Sequence, residues 1–278
     1  MNDATEQPED AARSRPSALK IVAIILATVL PAAAIIAGIV IASESSSSSP
    51  SATAKQYTAV ATTTTTTPAV PPRPREHLPP GHGTLVALVL HPTTMYTHPG
   101  GPAKQRISNR TPFGSSEVVW VVKHSPKWLG VVSADAGNGR IGWIHRSAVS
   151  LSRVNYVLKV SLRTHTVSVI RLGRVIHRYD VAIGRPSAPT PTGNFAVTDR
   201  LTTGDPTGPY GCCILAISAH APHTIQGWAG GDRIAIHSTP DTGSIGLPVS
   251  HGCLRLTLAQ GHWLITHIPL GTPTIIRE

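Results

Sequence analysis

The sequence has little of several things. It holds three cysteines, Cys212, Cys213 and Cys253. An odd number excludes a closed framework of intramolecular disulfides and leaves a reactive thiol or an intermolecular partner. Cys212 and Cys213 are neighbours, a spacing at which a bridge is strained and rare, so they read as a small buried pair of thiols. Aromatic residues make up 4% of the chain, and no run of Lys and Arg is interleaved with them. That combination argues against nucleic acid as a partner. Acidic residues number 14 against 24 Lys and Arg, a formal charge of +10. The excess is scattered and suits solubility and attraction to an anionic cell wall.

What is present first is an apolar stretch from Ile21 to Ala42, interrupted only by Thr28, Pro31 and Gly38. About 20 apolar residues span a bilayer as a helix. Arg13, Arg15 and Lys20 precede it, and no basic residue follows until Lys55. Positive charge stays inside, so residues 1–20 are expected to be a cytoplasmic tail, 21–42 a single transmembrane signal-anchor helix, and the remainder extracytoplasmic. A cleaved signal peptide is the other reading, but its apolar region is usually only about 7–15 residues. Residues 43–82 are rich in Ser, Thr, Ala and Pro. Such a composition cannot bury a core and predicts a semi-extended linker.

From Gly83 the pattern changes to short β-like runs broken by Gly, Pro and Asn: Leu85 to Leu90, Val118 to Val122, Trp128 to Val132, and Ile141 to Ile144. Close spacing with turn signals predicts a small barrel or sandwich over residues 83–152. The segments WLGVV and GRIGWIHRSAVSL resemble the ending of bacterial SH3-like domains. Trp120, Trp128 and Trp143 are expected in its core. This unit is expected to fold separately, so that its removal leaves the rest intact.

Residues 153–278 form the next unit. Val154, Tyr156, Leu158, Val160 and Leu162 alternate with polar residues, the mark of a half-buried strand. His165 to Arg171 and Arg174 to Ile183 continue a meander across a Leu172-Gly173 turn, and Gly193 to Val197 extends it. Only Thr257 to His267 reads as a helix, with Thr257 as its cap. Pro273 to Arg277 is a closing strand. The fold class is therefore mainly β with one short helix.

The chemistry concentrates in Ile234-Ala235-Ile236-His237-Ser238 and, after a loop, Ser250-His251-Gly252-Cys253-Leu254-Arg255. A thiol nucleophile needs a nearby base or cation. A neighbouring glycine lets a carbonyl approach, and exposed N–H groups can hold an oxyanion. His237, His251, Gly252 and Cys253 supply these at one place. A metal site from Cys212, Cys213, His220 and His223 matches no usual spacing, and neither a metal nor another cofactor is expected.

The HS…SHGCLR pair resembles the signature of L,D-transpeptidases with a YkuD-type catalytic domain. Gly184-Arg185-Pro186 followed by PTPTGNF resembles a second element of that family, and WLITHIPLGTPTII its ending. The resemblance covers about residues 154–278 and implies a β-sandwich. It implies that Cys253 attacks a carbonyl of a peptidoglycan stem tetrapeptide, releases D-Ala and passes the acyl group to an amine, forming a 3→3 crosslink. His237 would be base and acid, oriented by Ser238. His251 and the N–H groups of Gly252 and Cys253 would line the oxyanion site. Arg255 and Ser250 would face substrate. Carbapenem-type β-lactams would be captured as pseudo-substrates. Two other readings stay open: an L,D-carboxypeptidase that uses water, and a non-enzymatic wall-binding protein anchored in the membrane.

Overall fold

The computed structural model describes residues 58–59, 81–222 and 231–278. The predicted cytoplasmic tail, the membrane span and nearly all of the linker lie outside the described residues. So does His223.

The linker contributes β1 (Thr58–Ala59), which pairs antiparallel with Leu201 and Thr202 of a later strand. A first sheet is then built from β2 (Thr84–Val89), β3 (Thr93–Tyr96), β4 (Ala103–Ile107), β5 (Val118–His124), β6 (Trp128–Val132), β7 (Gly142–His145) and β8 (Val149–Val154). All its pairings are antiparallel, in the order β4-β3-β7-β6-β5-β2-β8. No pairing among the described residues joins β4 to β8, so the predicted barrel is seen as a seven-stranded sheet. Its core is aliphatic: Ala87, Met95, Val119, Leu129, Val131 and Ile144 are all buried. Trp120, Trp128 and Trp143 depart from expectation and stay half-buried outside that core. Trp128 instead meets Tyr96 edge-on, with ring centroids 5.1 Å apart. Tryptophan is bulky, and its indole N–H needs a polar partner when fully enclosed. The first sheet also reaches further than residue 152, because Arg153 and Val154 pair with Leu85 and Thr84.

The second unit comprises β9 (Tyr156–Ser161), β10 (Thr166–Arg171), β11 (Arg174–Asp180), β12 (Ile183–Gly184), β13 (Gly193–Thr202), β14 (Cys213–His220), β15 (Arg233–Ser238), β16 (Pro248–Ser250), β17 (Leu254–Leu256), α1 (Leu258–His267) and β18 (Pro273–Arg277). The main sheet runs β11-β10-β9-β18-β13-β14-β15-β17, and β1 flanks β13. The first half of β13 pairs with β18 and the second half with β14. One core gathers Leu158 and Val169 from one end of the path, Leu215, Ile236 and Leu254 from the other, and Leu264 from α1. The sheet thus folds over itself into a mainly β sandwich closed by one helix. Thr257 caps that helix through a reciprocal pair of bonds with Gln260.

The two sheets are not independent. Thr111, in the loop before β5, donates to Asp199 on β13, and both are buried. Asn138 bonds both the N–H and the carbonyl of His220. Burial, with Asp135 and Asp199 nearby, raises Glu117 to about 7 against the pull of Arg233. Removing the first sheet would take from Asp199 its bond to Thr111 and from His220 its bonds to Asn138, a cost that the expectation of separate folding left out.

Candidate active site

The apolar run in β15 decides which way its last residues face. Side chains alternate along a strand. Ile234 and Ile236 enter the main core, while Ala235 belongs to a second cluster with Leu201, Ile214, Ala216 and Cys253. His237 therefore faces the second cluster and Ser238 the main core. β17 lies parallel to β15, with Ile236 opposite Leu254 and His237 opposite Arg255. Cys253 stands just before β17. Strand register thus brings His237 and Cys253 to one face of neighbouring strands.

Both are buried, His237 at 3% and Cys253 at 7% exposure. His237 Nδ1 lies 2.8 Å from the carbonyl of Ser238. A carbonyl only accepts, so Nδ1 carries the proton and Nε2 presents its lone pair. The Tyr210 ring meets the imidazole edge-on at 4.9 Å. Burial lowers His237 to about 4, with the Arg255 charge adding to the effect and the Ser238 carbonyl opposing it. Burial raises the Cys253 thiol to about 11, opposed by a backbone bond at Ala235 and by Arg255. At neutral pH the resting pair is an uncharged imidazole and an uncharged thiol.

The turn carrying Cys253 is tied down on both sides. Ser250 Oγ donates to the Cys253 carbonyl at 2.5 Å and accepts from Gly252 N at 3.1 Å. Gly252 has φ +111, and a Cβ there would stand 2.9 Å from Ile234 Cδ1. Only glycine suits that backbone in that space. Thr190 Oγ1 donates to the Gly252 carbonyl and accepts from Gly184 N, each at 2.9 Å. Arg185 N bonds the Ser250 carbonyl at 2.9 Å.

Cys253, His237, Ser250, Gly252 and Arg255 are brought together. Ser238 reaches His237 only through its carbonyl; its hydroxyl lies on the opposite face, 3.5 Å from Cys212 Sγ. His251 is exposed, held below its usual value by partial burial and by the charges of Arg185 and Arg255. Arg255 is half-buried, and its Nε has no hydrogen-bond partner among the described residues. The Gly252 N–H is already taken by Ser250. Sequence reasoning missed Thr190, although it lies inside the quoted PTPTGNF element; its spacing to Gly252 carried no signal. It also missed Tyr210. The neighbouring Cys212 and Cys213 are joined by a disulfide, contrary to expectation. Cys212 precedes the first residue of β14, so the two side chains are not held to the alternation of a strand.

Residues 155–276 match the family model of the L,D-transpeptidase catalytic domain, YkuD. The putative L,D-transpeptidase YkuD of Bacillus subtilis is 30% identical over 125 residues, which are 45% of this chain and 68% of that protein. L,D-transpeptidase 1 of Mycobacterium tuberculosis is 32% identical over 123 residues, 41% of this chain and 47% of that protein. Solved structures matched include an L,D-transpeptidase from Mycobacterium smegmatis, at 19% identity and a TM-score of 0.35, covering 54% of this chain and 90% of that one. Another is the catalytic domain of an E. faecium L,D-transpeptidase acylated by ertapenem, at 21% identity and a TM-score of 0.35, covering 45% of this chain and 99% of that one. With its His237 and Cys253 motif on one sheet face, and with this extent of sequence likeness, the chain belongs to the YkuD-type L,D-transpeptidase family.

Proposed function

We propose that the protein is a membrane-anchored, extracytoplasmic L,D-transpeptidase that joins peptidoglycan stem peptides by 3→3 crosslinks. The observation that carries this reading is the fixed tautomer of His237, whose free Nε2 shares a face with the Cys253 thiol. Cys253 attacks the carbonyl of the donor stem while Nε2 takes the thiol proton. The carbonyl becomes an oxyanion, for which the Cys253 N–H is the available backbone donor. Collapse expels D-Ala, protonated by the imidazolium, and leaves an acyl-enzyme. An amine of a second stem attacks, loses its proton to His237 and restores the thiol. Arg255, aided by the nearby Arg185, suits a substrate carboxylate. Carbapenem capture at Cys253 follows from the same acylation step.

Incubation of purified protein with tetrapeptide stems, followed by mass spectrometry, tests the reading. Crosslinked dimers with loss of D-Ala are expected. D-Ala release without dimers would make the protein an L,D-carboxypeptidase. Intact stems together with no selective labelling of Cys253 would leave a wall-binding protein.

A further inference from the structure

The second cluster, which contains Cys253, is separate from the main core and has an unusual cover. Two half-buried aromatic rings pack against it: Tyr210 from the same unit and Phe113 from the first sheet. The chain has only two phenylalanines. Phe195 is almost wholly enclosed in the main core. Phe113 instead sits at the tip of the loop before β5, between the exposed Pro112 and Gly114.

That tip is braced. Glu117 N bonds Asn109 O at 3.0 Å, Thr111 N bonds Ser115 O at 2.9 Å, and Gly114 N bonds Thr111 O at 3.0 Å. Arg110 Nη1 donates to Gly114 O at 2.9 Å. The Thr111 hydroxyl is then pinned to the buried Asp199 of β13. Asp199 precedes Leu201 of the thiol cluster by two residues, so both share the thiol face of β13. A closed loop fixed at its base holds its tip residue with little freedom left to lose.

We propose that Phe113 is a specificity-determining residue of the transpeptidase site, its ring walling the subsite for the leaving D-residue and favouring a methyl side chain there over a larger aliphatic one. The inference rests on the transpeptidase reading. It makes the first sheet part of the substrate site. An apolar wall discriminates by size, and one or a few methylenes are worth about 10–200-fold in kcat/KM.

The test compares the full chain with Phe113→Ala, using stems that end in D-Ala or in D-Leu. The preference for D-Ala should fall about tenfold or more in the variant, mainly by a gain with D-Leu. Alkylation of Cys253 by iodoacetamide, which is too small to meet the wall, should stay within about threefold of wild type. Phe113→Leu gives an intermediate preference and serves if the alanine variant fails to fold. An unchanged preference overturns the proposal. So does a uniform rise in both donors and in alkylation, which would make the ring a cap. A uniform fall with a lower melting temperature would make it a structural prop. If wild-type protein releases neither D-residue, the transpeptidase reading itself fails and this proposal goes with it. That outcome is distinct from release with an unchanged preference.

Discussion

The two faces of the sheet at His237 and Ser238 hold the chain's three cysteine sulfurs in opposite chemical states. On one face Cys253 is a free thiol among Leu201, Ile214, Ala216 and Ala235. On the other, Cys212 is bonded to Cys213, and its sulfur lies 3.6 Å from the carbonyl of Leu258. Consecutive residues of one strand look toward each site. The alternation of His237 and Ser238 therefore separates the free thiol, the proposed nucleophile, from the bonded pair. Exchange between Cys253 and the disulfide would have to pass through a packed sheet.

The sharpest way to break this contrast is Cys253→Ala. It should abolish stem transfer, D-Ala release and carbapenem capture, read by intact-mass spectrometry. An adduct that persists in this variant, and disappears only when Cys212 or Cys213 is changed, would reverse the assignment of the two faces. Cys253→Ser should be nearly as inactive, because a hydroxyl is much harder to deprotonate. Next comes His237→Ala, which leaves the thiol but removes its base. Acylation should slow by about 10²–10⁴-fold, and a loss under tenfold would remove His237 from that role.

The third effect is set by pH. Burial raises the Cys253 thiol to about 11, so its thiolate fraction rises about tenfold per pH unit well below that value. Alkylation by iodoacetamide should be slow at pH 7 and about a hundredfold faster at pH 9, with one label per chain. A plateau below pH 8 would mean a resting thiolate. Prior reduction should add two labels, at Cys212 and Cys213. The smallest effect is expected from the double variant Cys212→Ala, Cys213→Ala. Its acylation rate should stay within about threefold of wild type, since neither sulfur touches the imidazole, which meets that segment through the Ser238 carbonyl and the Tyr210 ring. A larger drop would show the disulfide to be a support for His237.

Much of this arrangement could be read from the residues. The run from Ile234 to Ser238 showed a strand ending at a histidine, and Thr257 marked the start of α1. Pro273 to Arg277 emerged as the closing strand. Other parts carried no local signal. The strands Thr93–Tyr96 and Ala103–Ile107 are short and polar, and are fixed by their neighbours rather than by periodicity. Thr190 is linked to Gly252 across 62 positions by one hydroxyl, and Phe113 reaches the Cys253 cluster from another sheet. Pairings of that kind depend on tertiary register. The bond between Cys212 and Cys213 went against a sound rule about neighbouring cysteines, because a turn precedes β14 there.

Gly261 gives the molecule an inherited vulnerability. It sits in α1 directly over the Ser238 hydroxyl, where any added Cβ would collide with that oxygen. Every base change in its codon that swaps the amino acid adds such an atom, because glycine alone lacks one. The collision would push the helix away from the strand that ends in His237 and Ser238. A lineage carrying this gene can vary the exposed face of α1 freely, yet at this one codon only synonymous changes should persist.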